Sequence, residues 1–198
     1  MDYSKEIKAY IELERTVLSQ LDVSMINAVV NELDAARRRD ATIYIMGNGG
    51  SASTASHFVN DFCKGISEHL EQKFRFICLN DNIATIMAIA NDISYDAVFE
   101  FQLRGKVRKD DVVIGISASG NSMNVLRAIE LAKSVGTKTI GLMGFDGGKL
   151  KQLSDLSFHV PVMSMQVTED MHMALDHLMM AVFYKTLCGI EHLKEKRL

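Results

Sequence analysis

Residues 111–136, DVVIGISASGNSMNVLRAIELAKSVG, set the reading of the whole chain. Asp111–Ile116 is a short apolar run rich in β-branched residues, which predicts a strand buried on both faces. The chain then passes through Ser117-Ala118-Ser119-Gly120-Asn121-Ser122 into residues 122–135. There Val125, Ala128, Ile129, Ala132 and Val135 fall on one stripe of a helix, and Gly136 supplies its stop. The same strand, loop and helix recur upstream as Thr42–Met46 (TIYIM), Gly47-Asn48-Gly49-Gly50-Ser51 and a helix over 52–64. Further strands are expected at Phe74–Leu79, Thr139–Met143 and Leu156–Val160, with helices near 82–90 and 168–188. Residues 3–39 read as two helices broken near Asp22–Ser24. Alternating βα units predict an α/β fold of three layers, a central parallel sheet flanked by helices, with N-terminal helices added.

Composition bounds the function. The 198 residues are 47% hydrophobic and 24% charged, enough for one domain with a real core over 1–198: helices over 3–39, an α/β core over 40–190. A net charge of −3 argues against binding to nucleic acid or to an anionic membrane surface. No apolar run reaches the roughly 18 residues of a membrane span. The charged start MDYSKEIKAY and the scattered Cys63, Cys78 and Cys188 lead us to expect a cytoplasmic protein without thiolate metal chemistry.

Ligands of parallel sheets bind where strands end, and both Gly/Ser loops fall at predicted strand ends. The loop at 117–122 runs into a helix N-terminus, whose free N–H groups attract anions, and three serine hydroxyls add directed donors. The competing reading is a serine-rich turn with Asn121 or Ser122 as an ordinary N-cap. The loop at 47–52 matches G-x-G-x-x-A, a weak dinucleotide signal in which Asp81 would have to serve as the acidic partner. No G-x-x-x-x-G-K-[ST] is present, and no nucleotide cofactor is expected.

MGNGGSASTASHF, AIAND, GISASGNSMNVLRAI, GFDGGKL and TEDMHMALDH, in this order over roughly 40–187, resemble the phosphoheptose isomerases of the sugar isomerase (SIS) superfamily. The resemblance implies a flavodoxin-like sheet and a homotetramer with sites at subunit interfaces. It also implies aldose–ketose isomerisation of sedoheptulose 7-phosphate to D-glycero-D-manno-heptose 7-phosphate for lipopolysaccharide, capsule or other surface glycans. Carried over, Ser51, Ser117, Ser119 and Ser122, with Ala118 in the same loop, would hold the phosphate. Asn48, Gly49, Gly50, Asn91 and Asp92 would line the sugar chain. His57, Asp61, Glu169 and His177 would bind zinc or another divalent metal and contact substrate, with Asp61 and His177 catalytic. The chain departs from the family at three of these positions. Asp61 stands where glutamate is usual, Glu169 where glutamine is usual, and Ala118 where threonine is common.

The chemistry agrees with the residues. Moving a carbonyl between C1 and C2 through an enediol needs an acid/base pair and polarised oxygens, and Asp61 and His177 suit the first role. His57 and Asp61, at i and i+4, share a helix face. On the last helix, periodicity alone selects the stripe Glu169, His172 and Asp176. The resemblance instead selects Glu169 and His177, about 80° apart and roughly 12 Å along a straight helix. Those two converge only if Glu169 sits on an irregular first turn or if subunits share a site. His172 stays a second candidate, with pairing to Asp176 as its plain structural reading. The methionines of the last forty residues, Arg37-Arg38-Arg39, His69, His159, His192 and the tail Lys194-Glu195-Lys196-Arg197 read as packing or solvated charge. A non-catalytic SIS protein that binds a sugar phosphate or a protein partner is the alternative from another class, and an isomerase of another sugar phosphate is the near one.

Overall fold

The computed structural model describes residues 1–191, so His192 and the basic tail at 194–197 lie outside it. Five parallel strands stand in the order β2-β1-β3-β4-β5: β1 (Ile43–Gly47), β2 (Phe76–Cys78), β3 (Val112–Ile116), β4 (Lys138–Met143) and β5 (Leu156–His159). This is the flavodoxin-like order. All five predicted strands form, and β2 is shorter than expected because Phe74 and Arg75 precede the pairing with β1.

The strands alternate between two cores. From β1, Ile43 and Ile45 join Phe58, Phe62, Leu33 and Phe183, while Tyr44 and Met46 join Phe99, Leu103, Val125 and Ile129. The first face is covered by α2 (Val23–Arg38), α3 (Gly50–Asn60) and α8 (Met165–Thr186), with α1 (Ser4–Ser19) lying over α8. The second carries α4 (Ile83–Asp92), α5 (Glu100–Leu103), α6 (Met123–Val135) and α7 (Gly148–Leu153). Phe62 is fully buried between Phe58, Phe74, Phe76 and Phe183, so truncating it to alanine costs about 3–5 kcal/mol.

Helix punctuation follows the sequence. Asp22 caps α2 through its carboxylate, and Gly136 ends α6 in the left-handed conformation at φ 84°. The short helices α5 and α7 escaped the periodicity reading because four and six residues are too few to show a stripe. The helix expected over 52–64 starts at Gly50, and from Asp61 to Ile66 it widens into a π-helical turn.

Candidate active site

The chain leaves β1 toward one side of the sheet and β3 toward the other, so the gap between their carboxyl ends is the topological switch point. Both Gly/Ser loops open there. Together with the start of α8 they enclose a cleft of about 320 Å³, lined by Asn48, Gly49, Gly50, Ser51, Ser117, Ala118, Ser119, Ser122, Met165 and Glu169. The structure thus brings together every loop residue that the sequence nominated.

The loops are built to approach a ligand closely. A Cβ on Gly50 would lie 2.3 Å from a carboxylate oxygen of Glu169, so glycine is what lets this carboxylate reach the loop. Gly120, at φ +66°, packs so tightly on the backbone that a Cβ would lie 2.0 Å from the Gly147 carbonyl oxygen. The two helices that begin at the cleft, α3 and α6, have no side-chain cap. By contrast Asp22, Asn82 and Ser164 cap α2, α4 and α8. Ser122 occupies the N-cap position of α6, yet its hydroxyl lies 2.9 Å from the Ser117 hydroxyl instead of capping the helix. Ala52 and Val125 N–H are taken up by the Gly49 carbonyl and the Asn124 side chain, while the N–H groups of Gly50 and Ser51 in α3 and of Met123 and Asn124 in α6 remain available to an anion, an arrangement that suits a phosphate.

Asn48 is held from behind. Its amide pairs reciprocally with Asn124 at 2.9 Å in both directions, and its oxygen also accepts the Tyr95 hydroxyl at 2.8 Å. Asn124 and Tyr95 were missed from sequence. A polar residue on the buried face of α6 was the available signal, since Asn124 is 2% exposed.

About one and a half turns beyond Ser51, the other end of α3 meets α8. There the Nε2 atoms of His57 and His177 stand 3.2 Å apart. His57 Nε2 lies 3.3 Å from Asp61 and 3.8 Å from Asp176, and His177 Nε2 lies 3.9 Å from Asp61. One donor atom from each of these four residues falls within 4.8 Å of every other, the geometry of a metal-binding cluster. Asp61 opens the π-helical turn, a feature frequent at functional sites.

Within the single chain, three of the nominated groups stand apart from their expected places. Glu169 is not brought to this cluster; α8 is regular from Met165 onward, so Glu169 stays in the cleft and Asp176 takes the fourth place. His172 is not paired with Asp176: it is fully buried near Phe158, and burial pushes its pKa down to about 4. Asn91 and Asp92 are exposed at the end of α4, bonded to each other at 2.8 Å and outside the cleft lining.

Asp176 is the electrostatic centre of the cluster. Its side chain is fully buried and its oxygens accept no hydrogen bond, so burial, and then the charge of Asp61, push its pKa up to about 8. Two imidazoles and two carboxylates, one of them buried without donors, are a chemically suitable set for zinc or another divalent ion. The cation would supply the partner that Asp176 lacks.

Comparison with known proteins agrees with this geometry. A family model described as SIS domain matches residues 2–144. The phosphoheptose isomerase of Helicobacter pylori strain P12 is 40% identical over 88% of this chain and 90% of its own. The probable phosphoheptose isomerase of Thermoplasma acidophilum is 34% identical over 89% and 97%. Among solved structures, phosphoheptose isomerase GmhA from Neisseria gonorrhoeae superposes with a TM-score of 0.85 at 27% identity, covering 93% of this chain and all of that one. Among the described residues no helix is long and apolar enough to cross a membrane. The sheet order, the switch-point cleft and these relatives lead to one assignment: the chain belongs to the SIS-domain proteins and, among them, to the phosphoheptose isomerase family.

Proposed function

We propose that the protein is an aldose–ketose isomerase that converts sedoheptulose 7-phosphate to D-glycero-D-manno-heptose 7-phosphate through an enediol. The observation that carries the reading is the His57/Asp61/Asp176/His177 cluster standing at the far end of the helix whose start forms the phosphate-type cleft. Seven carbons separate the phosphate from the reacting end of the substrate. Ser51 and His57 lie six residues apart on α3, roughly 9 Å along its axis, a separation of the right order.

Ser51, Ser117, Ser119, Ser122 and the free N–H groups of α3 and α6 hold the phosphate without a lysine or arginine. Asn48, fixed by Asn124 and Tyr95, orients a sugar hydroxyl. Glu169 reaches into the cleft beside Gly50 and accepts hydroxyl donors. Asp61 and His177 handle the proton that leaves C1 and returns at C2. His57, Asp61, His177 and Asp176 would hold zinc or another divalent metal, and such an ion, when bound, polarises the substrate oxygens.

The same reading extends to assembly and setting. Tyr3 just before α1 and Ile7, Ile11 and Leu18 within it are more than half exposed, which supports a homotetramer built on the N-terminal helices, with other subunits completing the site around Asn91 and Asp92. A cytoplasmic enzyme that supplies heptose for surface glycans is the corresponding place in metabolism.

The test is sedoheptulose 7-phosphate incubated with the protein in D₂O and followed by NMR, with zinc and with chelator. Heptose 7-phosphate carrying deuterium at C2, lost in His177→Ala, is the expected result. No exchange under any metal condition overturns the assignment.

A further inference from the structure

At the opposite end of the sheet from the cleft, the segments leading into β1, β2 and β3 enclose a second cavity of about 200 Å³. Asp40, Thr42, Arg75, Arg108 and Asp111 enter from those segments, Lys106 from the loop before β3, and Tyr44 from β1 itself. Three cations therefore converge on one small space.

Two carboxylates, Asp40 and Asp111, share the cavity, and both are already engaged. The Asp111 carboxylate is committed to backbone: one oxygen accepts the Thr42 N–H at 2.9 Å and the other the Arg108 N–H at 2.8 Å. Arg75 engages the exposed Asp40 through Nη1 at 2.7 Å, which leaves its Nη2 and Nε donors free. Among the described residues the exposed side chains of Lys106 and Arg108 form no ion pair or hydrogen bond, and the Tyr44 hydroxyl, which opens on the cavity, has no hydrogen-bond partner in the protein. Two guanidinium groups, an ammonium and a phenol hydroxyl aimed at one cavity form a donor set for a tetrahedral oxyanion. The volume lies below the roughly 300 Å³ at which pockets for drug-sized molecules begin, so the occupant is small. The full length of β1, roughly 16 Å, separates it from the cleft.

We propose that this cavity binds the phosphate group of a small phosphorylated molecule, as a second anion site distinct from the cleft. Because β1 and β3 run from this cavity to the two cleft loops, an occupant here contacts the strands that position Asn48 and Ser117.

Inorganic phosphate is the probe, and backbone amide shifts in ¹⁵N-labelled protein are the readout. A Ser119→Asp background places a negative charge in the cleft and removes phosphate from it. Saturable shifts at the amides of Thr42 and Asp111 are expected there, with binding weakened at least tenfold in Lys106→Ser/Arg108→Ser and a few-fold in Tyr44→Phe. All three changes leave the cores intact, since two are exposed and the third removes only an unbonded hydroxyl. Absence of saturable shifts at Thr42 and Asp111 overturns the proposal. So does a response that the double variant leaves unchanged or that chloride at equal ionic strength reproduces.

Discussion

Asp176→Asn separates what the buried carboxylate costs the fold from what it does for a metal. The metal-free folded state holds this acid at about pH 8 because it is buried and faces Asp61, whereas an unfolded chain titrates it near 3.8. Between these values the folded state binds a proton that the unfolded state does not. Stability from this group is therefore complete below about pH 4 and falls as pH rises toward 8. At about 1.4 kcal/mol per pH unit, the three units from 3.8 to 7 give an upper figure of about 4 kcal/mol. Coupling to Asp61 and local relaxation reduce this, so we expect a cost of about 1–3 kcal/mol at neutral pH. Asparagine keeps the shape and loses the charge, and its amide is no less satisfied than the protonated acid. In chelator, urea unfolding should show Asp176→Asn more stable than the parent by about 1–3 kcal/mol at pH 8, the gap closing by pH 4. Zinc at a hundred times its dissociation constant stabilises the parent by about 2.7 kcal/mol; the variant, lacking a ligand, gains much less, and the order of stabilities inverts. A variant less stable than the parent at pH 8 in chelator would refute the argument, since the carboxylate would then be held by favourable contacts. A gap independent of pH would show that burial of charge is not its cause.

Other perturbations test other parts of the structure. His172 is buried with its pKa lowered to about 4, so the unfolded state protonates first as pH falls from 6.5 and stability drains away toward pH 4, by about 3 kcal/mol in all; His172→Phe should remove that part of the slope in urea unfolding measured between pH 7 and 4.5. Gly120→Ala forces a Cβ to 2.0 Å from the Gly147 carbonyl oxygen at φ +66°, against backbone that no rotamer relieves, and should cost about 2–4 kcal/mol by denaturant titration. Gly50→Ala meets only the tip of Glu169, so stability should change by less than about 1 kcal/mol while KM for the sugar phosphate rises several-fold as Glu169 is pushed out of place. Ile7→Asp/Ile11→Asp places charge on side chains that are each 57% exposed in the single chain; light scattering should report a smaller assembly without loss of helical signal.

The fold was legible because its signals are local and redundant. A strand such as Val112–Ile116 is apolar at every position because both faces are covered, and the helix that follows carries its own stop in Gly136. Where the sequence misled, the cause lay in length or in pairing. Residues 74 and 75 are strand-like in composition but fall outside the ladder with β1, and α5 and α7 are too short for periodicity to register.

The site was legible in halves. Its cleft is written in contiguous loops, so every nominated residue from 47–51 and 117–122 arrived together. The cluster depends on how α3 and α8 cross, which no single segment encodes. The family resemblance supplied His57, Asp61 and His177, while the helical stripe supplied Asp176, and neither signal alone contains the set. The two acidic departures from the family pattern then take on a joint meaning. Glu169, a carboxylate where an amide is usual, is held in the cleft by the close approach that Gly50 permits, and two turns later Asp176 offers the cluster the carboxylate that Glu169 does not deliver. Asp61, one methylene shorter than the usual glutamate, still comes within 3.3 Å of His57 from the first residue of the π-helical turn. Glu169 and Asp61 are thus each fitted to the contacts their own positions offer. Restoring one family residue alone, by Glu169→Gln or Asp61→Glu, should therefore lower kcat, and a gain in kcat from either single change would refute that fit.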